Sequence, residues 1–335
     1  MIDLCVIGAG PAGLMAAETA ADRGLRVVVV DAKPSFGRKF LMAGKSGLNL
    51  TKDEPVGAFM DAFGDADWLK PMLTAFDNQA VMQWAQGLGQ DIFTGSSRRV
   101  FPKVMKASPL LRTWLGRFAD KGVEFQRGWK WTGWHEEALI FDTPNGVQSV
   151  DCRATVLALG GASWARLGSD GFWANLLASR AVELAPFKPA NMGFVVKWSK
   201  YMTPHFGAPV KATRFTAGDF STLGECVVSE RGIEGSAIYA VSRFMREGAR
   251  LVLDLLPDQS VDDLNARISK LPAKASRATV LRKALKLDGV KAALFNEFAK
   301  AAGRDEFAQL AKALPIDHAG PRPMDEAIST AGGVS

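Results

Sequence analysis

The period of the apolar positions changes several times along the chain, and each change predicts an element. Residues 2–7, IDLCVI, form an apolar run of strand length, bounded at once by Gly8, Gly10 and Gly13. Leu14 to Arg23 is rich in alanine and reads as a helix, which Gly24 closes in the usual C-terminal position. Leu25 to Val30 is then continuously apolar and mostly β-branched, the pattern of a strand buried on both faces of a parallel sheet. Further on, Ser108-Pro109 predicts a helix start, with serine as cap and proline in the first turn. Leu111, Trp114, Leu115 and Phe118 fall on one face of that helix before Gly122 ends it. Residues 123–157 alternate with period two, as in a β-meander, and Asn145-Gly146 signals a hairpin. Within that alternation Trp129, Trp131 and Trp134 read as packing faces. Thr155 to Leu159 is another buried strand, running into Gly160-Gly161. Short β-like segments fill 186–257, and the pattern turns helical over 258–315, where SVDDLNARISKL opens with a serine cap and two acids in its first turn.

The first four features carry chemistry together. Strand, G-x-G-x-x-G, helix, second strand and Asp31 make a complete βαβ unit, with the acid 18 residues after Gly13. Gly8 provides the tight turn, Gly10 the close approach of a pyrophosphate, and Gly13 the close packing of helix on strand. Gly10, Pro11, Ala12 and Gly13 open the helix, whose unpaired N–H groups and dipole favour an anion. Asp31, with Ala32 beside it, stands where a carboxylate accepts the ribose hydroxyls of an adenosine and repels a 2′-phosphate. The expectation is a dinucleotide site.

Composition narrows the class. At 335 residues, 47% of them hydrophobic, the chain can bury a large core or two to three smaller ones. The net charge of +6 suits an anionic cofactor and is too small to demand nucleic acid. Cys5, Cys152 and Cys226 form no C-x-x-C pair, and His135, His205 and His318 are scattered, so no metal site is spelled out. The sparse, odd cysteine set suits a reducing cytoplasm. The N-terminus lacks the positive region of a signal peptide and carries Asp3 and Glu18; no later stretch is long and apolar enough to span a bilayer. A soluble, cytoplasmic protein that engages no membrane is expected.

Gly44-Lys45-Ser46 imitates the end of a phosphate-binding P-loop. Counting back, Lys39 stands where the loop-opening glycine must be, and Gly37 lies two residues too early. No triphosphatase is expected, and the segment needs another ligand.

Several stretches taken together supply one. ATVLALGG (154–161) resembles the ATG-type motif of flavoproteins with a Rossmann-like fold, and no second G-x-G-x-x-G is present, which favours FAD. IGAGPAGLMAA (7–17), GRKFLMAGKSGLNLT (37–51), RRVFPKVMKAS (98–108), VLALGGASWARLGSDG (156–171), FKPANMGF (187–194), VVSERGIEGSAIYAVS (227–242) and STAGGV (329–334) resemble, in order, the BaiN-like NAD(P)/FAD-dependent oxidoreductases of bacteria. The resemblance implies an α/β fold: a Rossmann-like FAD-binding domain with an inserted β-rich domain and a small helical domain. The expected boundaries are 1–185 for the FAD-binding part (with a meander at about 123–157), 186–257 for the β-rich insertion, 258–315 for the helical insertion, and 316–335 for an incomplete return. It also implies that Lys39, Gly44, Gly47, Asn49 and Thr51 lie along the FAD, with Lys45, Gly160 and Gly161 as further flavin-side candidates. Lys45-Ser46 departs from the family's run of glycines, and Leu48 replaces a cysteine common there. In the family STAGGV is followed by segments that complete the flavin site; the sequence given stops at Ser335, so weak FAD retention is expected of it.

The implied activity is transfer of hydride or electrons through the flavin to an unidentified small molecule, with NADH or NADPH as a candidate donor. No acid–base pair stands out, so no catalytic residue is named. A second reading uses the excess of basic residues between Arg267 and Lys300 as a contact surface for nucleic acid or an acidic protein, in a flavin-containing binding module. Solvated helix faces carry such charges routinely.

Overall fold

The leading apolar run forms β1 (Ile2–Ile7) in a computed structural model that describes residues 1–44, 47–64 and 66–335. Helix α1 (Pro11–Ala21) follows, with Gly10 as its N-cap and Pro11 in its first position, then β2 (Val27–Asp31). The helix begins three residues before the expected Leu14, because proline's fixed φ suits a first turn and its missing N–H costs nothing there. The second strand starts later than expected: Leu25 donates its N–H to the Ala20 carbonyl in the turn, and its side chain is exposed.

Two compact units account for the chain, residues 1–160 with 165–181, and residues 161–164 with 182–335. In the first, β1 and β2 pair in parallel with β3 (Glu124–Arg127) and with a late strand, Cys152–Leu157, giving a four-stranded parallel sheet. The segment expected to be one meander is therefore divided. Its two ends join the parallel sheet, and only β4 (Lys130–His135), β5 (Ala138–Thr143) and β6 (Gly146–Val150) form an antiparallel meander; the late strand is β7. Alternation predicted strands here and could not say which sheet each would join. Thr143 pairs with Gly146, so Pro144-Asn145 are the loop residues and Gly146, at φ 94°, follows them. The loop is thus two residues long, as the hairpin signal predicts, but it is Pro144-Asn145 rather than Asn145-Gly146. The tryptophans pack: Trp131 is buried, edge-on to Trp134 at 4.6 Å, and Trp129 lies 5.7 Å from Phe141.

Helix α2 (Arg38–Ala43) and helix α3 (Ala107–Asp120) cover one side of the dinucleotide-type core. Lys106 takes the cap position of α3, placing Ser108 and Pro109 inside its first turn rather than at its boundary. Leu110, Leu111, Trp114 and Phe118 are buried against Leu14, Ala17, Val27 and Val29. Leu115 is only partly buried, since the strip facing the core is narrower than its apolar residues.

The second unit has a different plan. β8 (Leu184–Ala190) is followed by β9 (Phe194–Val195), β10 (Pro209–Ala217), β11 (Phe220–Ser229) and β12 (Gly232–Glu234). With β13 (Leu251–Asp254) and β14 (Leu314–Ile316) they give a six-stranded antiparallel sheet, ordered β9-β12-β11-β10-β13-β14, which leaves out β8. Helix α4 (Ser236–Arg246) packs on β10 and β11 through Ala237, Ile238, Val241 and Met245. The helical stretch comprises α5 (Val261–Ser269), α6 (Arg277–Lys283), α7 (Gly289–Phe298) and α8 (Phe307–Lys312). It shares one apolar core with the sheet: Leu264, Val280, Leu294, Phe295 and Phe307 bury with Phe194, Phe215 and Leu253. Residues 329–334, expected to return to the cofactor domain, form β15 (Ser329–Val334), antiparallel to β8 and grouped with the second unit. Among the described residues, no helix is long and apolar enough to cross a membrane.

Candidate dinucleotide site

The glycine loop between β1 and α1 has almost no room for side chains where the chain crosses itself. A Cβ on Gly13 would stand 1.8 Å from the Gly8 carbonyl oxygen, and one on Gly8 would stand 2.2 Å from the Ala158 carbonyl oxygen. Gly8 also has φ 109°, a conformation that glycine alone adopts freely. Gly10 is the opposite case. Its backbone is ordinary at φ −82°, and an added Cβ would meet nothing within 4 Å. The open side of Gly10, flanked by exposed Pro11 and Ala12, is a cradle that one methyl group would begin to fill. The first N–H groups of α1 have no carbonyl inside the helix to receive them. Close packing at two glycines and empty space at the third fit a pyrophosphate lying against this helix end.

Asp31 ends β2 beside the loop and braces it. Its Oδ2 accepts from the Ala9 N–H at 2.9 Å and its Oδ1 from the Lys33 N–H at 2.8 Å. Each oxygen keeps a lone pair, so the carboxylate can fix the loop and still accept from ribose hydroxyls. Ala32 next to it is exposed. The Gly37 N–H donates to the Ala9 carbonyl at 2.9 Å, tying the start of α2 to the same turn.

Other candidates have more varied surroundings. Lys39 on α2 donates from Nζ to the Ser169 carbonyl at 3.3 Å, and its stem runs alongside Gly168, so it braces the GSDG turn. Gly44 ends α2 where a Cβ would stand 2.5 Å from that of Ala107; its smallness serves the packing of α2 on α3. Asn49 is exposed, and Thr51 sits in a two-residue strand paired with Val100. Gly47 has φ 130°, with the Met105 methyl against its free face. Lys45 lies outside the described residues. Gly160 ends the first segment of the first unit at φ 71°, and its carbonyl accepts from the Trp173 indole at 3.0 Å. Gly161 belongs to the second unit, where the Thr330 hydroxyl would lie 2.5 Å from a Cβ there; that hydroxyl accepts from the Ala162 and Ser163 N–H groups at 3.0 and 3.1 Å.

Periodicity did not reveal the charge buried behind the loop. Glu18 on α1 is 5% exposed, and its carboxylate accepts from the Trp114 indole at 2.8 Å and from the Arg117 guanidinium at 2.9 Å. This joins α1 to α3. The signal available in the sequence was an acid on the alanine-rich face of a helix otherwise due for burial, which needs a partner. Cys5 on β1 is inert by contrast: burial, with Cys152 adding to it, pushes its thiol up to about 12. Among the described residues no group of three or more His, Cys, Asp or Glu could hold a metal ion.

The chain matches the family described as HI0933-like protein Rossmann domain over residues 2–335. It is 24% identical, over 82% of its length, to a ribosomal RNA dihydrouridine synthase of Haemophilus influenzae, and 23% identical, over 83%, to the protein of that name from Escherichia coli K12. It spans 70% of each relative. Among solved structures, a 3-ketosteroid-delta4-(5alpha)-dehydrogenase from Rhodococcus jostii RHA1 is 14% identical with a TM-score of 0.45, over 99% of this chain and 84% of that one. A flavocytochrome c3 fumarate reductase is 16% identical with a TM-score of 0.44, over 63% of this chain and 47% of its own.

Proposed function

We propose that this chain, which belongs to the family described as HI0933-like protein Rossmann domain, is an FAD-dependent oxidoreductase of the BaiN-like kind that its motifs resemble. Gly8 and Gly13 bring β1, α1 and β7 together, Gly10 admits the pyrophosphate of FAD, and Asp31 holds both the loop and the adenosine ribose. The observation that carries this assignment is the contrast at the glycines, crowded at Gly8 and Gly13 and open at Gly10. The isoalloxazine, when bound, supplies the two-electron chemistry. The chain's own residues bind and orient: α1 directs its N-terminal dipole at the diphosphate, and Lys39 holds the 168–171 turn in place. NADH or NADPH is the electron donor in this reading.

The test is an anaerobic absorption spectrum of the protein titrated with FAD, followed by NADH and then NADPH. Saturable binding and bleaching of the oxidised flavin's visible absorption support the reading. Failure to bind FAD at any concentration sinks it.

A second reading concerns the acceptor. Carried over from the name of the two relatives, it would be the C5–C6 double bond of a uridine in ribosomal RNA, which takes up two electrons and two protons. The supporting observation is the set of exposed cations on the helical stretch: Lys270, Lys274, Arg282, Lys283, Lys286 and Lys300. The other basic residues there serve the fold. Arg277 donates to the Ala299 carbonyl at 2.6 Å between the rings of Phe295 and Phe307, Lys291 donates to the Leu255 carbonyl at 2.7 Å, and Arg267 donates to Gln259. Loss of dihydrouridine from ribosomal RNA on gene deletion, restored by the wild-type gene and not by a Gly13→Val variant, is the expected result. An unchanged dihydrouridine content would exclude this acceptor.

A further inference from the structure

The second unit has a cleft of about 720 Å³ between residues 199–205 and α7, a size in the ordinary range for ligand sites. Its floor is flat and small-sided, from Gly289, Ala292 and Ala293, with buried Met202 behind. Tyr201 stands at the edge of the cleft with 71% of its surface exposed. The Lys200 ammonium lies 5.5 Å from that ring's centroid, and Lys300 and Asn296 line the opposite wall. Glu297 also lines the cleft, but both its oxygens are occupied, accepting from the N–H and the hydroxyl of Ser199 at 2.7 and 2.6 Å. The acid is thus tied to the wall, and the Asn296 oxygen accepts from Arg277 at 2.8 Å; the groups left to meet a ligand are the Tyr201 ring, the Asn296 amide nitrogen, His205 and the Lys300 ammonium, with Lys200 beside the ring.

We propose that this cleft receives an unstacked nucleotide of single-stranded RNA. Tyr201 stacks on the base, the Asn296 amide nitrogen donates to its edge while its oxygen stays with the Arg277 guanidinium at 2.8 Å, and Lys200 and Lys300 take the flanking phosphates. An aromatic platform beside cations is how single strands are held without duplex geometry. The exposed cations of α6 and the segment after it, Arg282, Lys283 and Lys286, extend the positive surface for a longer strand. The proposal rests on the reading of RNA as substrate and adds where the strand is held; flavin binding is independent of it.

The test measures binding of a short fluorescein-labelled single-stranded RNA to the full chain by anisotropy, in parallel with FAD binding. Tyr201→Ala should weaken RNA binding about 5- to 150-fold, the span measured for losing one base stack, and Tyr201→Phe should restore it. Lys300→Ala should flatten the salt dependence by about 0.7 in the log–log slope. FAD binding should be unchanged in all three, because the exposed side chains lie outside the glycine loop. Equal affinity in wild type and Tyr201→Ala, or equal competition by duplex RNA or by polyglutamate, would overturn the proposal. So would absence of RNA binding in a wild-type protein that binds FAD, and that outcome would leave the flavin assignment standing.

Discussion

The glycine loop of the first unit and the cleft of the second are both candidate binding sites, and they are built from opposite materials. The loop is made of backbone: what matters is which positions lack a Cβ, which N–H groups face outward, and how tightly β1, α1 and β7 cross. The cleft is made of side chains on an exposed ring, a helix and a short 3₁₀ turn. A backbone site tolerates almost no change at its crossing points and is indifferent to most side chains nearby. A side-chain site can be emptied one residue at a time without harm to the fold. The two units therefore predict different responses to the same kind of mutation.

The largest effect should come from Gly13→Val, which places branched carbons where even a Cβ lies 1.8 Å from the Gly8 oxygen. FAD binding should fall by more than about 100-fold and stability by about 3 kcal/mol or more, as overpacking does. Gly10→Ala is its partner: with nothing within 4 Å of the new methyl, stability should change by less than about 1 kcal/mol while FAD affinity still drops. Titration calorimetry and thermal melts on both variants would break the assignment if the two fell together or if Gly10→Ala bound FAD normally.

Glu18→Leu comes next. It strands the buried Trp114 indole and takes from the Arg117 guanidinium one partner, the Gly87 carbonyl remaining, and should cost about 1–3 kcal/mol, the penalty for an unsatisfied buried group. Urea unfolding should show the loss, and a Glu18→Leu protein as stable as wild type would remove the clamp between α1 and α3 from this account. Asp31→Ala should weaken FAD binding by about 1–3 kcal/mol through lost hydrogen bonds to a charged acceptor, with a smaller loss of stability from the freed Ala9 N–H. Isothermal titration separates the two, and wild-type affinity would deny Asp31 its ribose role.

The smallest effect belongs to the second unit. Burial beside Phe194 holds the His318 imidazole below its ordinary 6.5, with Asp317 opposing. The unfolded chain then takes up a proton at higher pH than the folded one. The contribution of His318 is thus complete above about 6.5 and is lost as pH falls from there through its lowered folded value. Melting temperatures across this window should fall more steeply for wild type than for His318→Asn, which keeps an acceptor for the Gly320 N–H. Identical slopes would contradict it.

How much of this was legible in the sequence differs between the regions for a physical reason. Ile2–Ile7, the three glycines, the helix and the β-branched strand could be read in order because every interaction among them is local or one crossover away. The crowding at Gly8 and Gly13 and the place of Asp31 at the end of β2 follow from spacing alone. The boundaries slipped at Leu25, where a turn competed with the strand, and at the start of α3, where Lys106 rather than Ser108 takes the cap position. By contrast, Lys39 and Gly44 were placed along a cofactor by resemblance, and their neighbours Ser169 and Ala107 lie far off in sequence.

By itself the sequence determined the strand–glycine–helix–strand order of residues 2–31 and the switch from β-rich to helical character after residue 257. Those follow from periodicity and from glycine's lack of a side chain, which act within a few residues. Only the tertiary structure decided which strands of 123–157 join the parallel sheet, and that the helical stretch shares a core with six antiparallel strands. It also decided that Glu18 is satisfied by Trp114 and Arg117, nearly a hundred residues away, and that Tyr201 and α7 face a common cleft. Contacts between distant segments are fixed by how whole faces bury together, and no local pattern of apolar and polar positions encodes the partner.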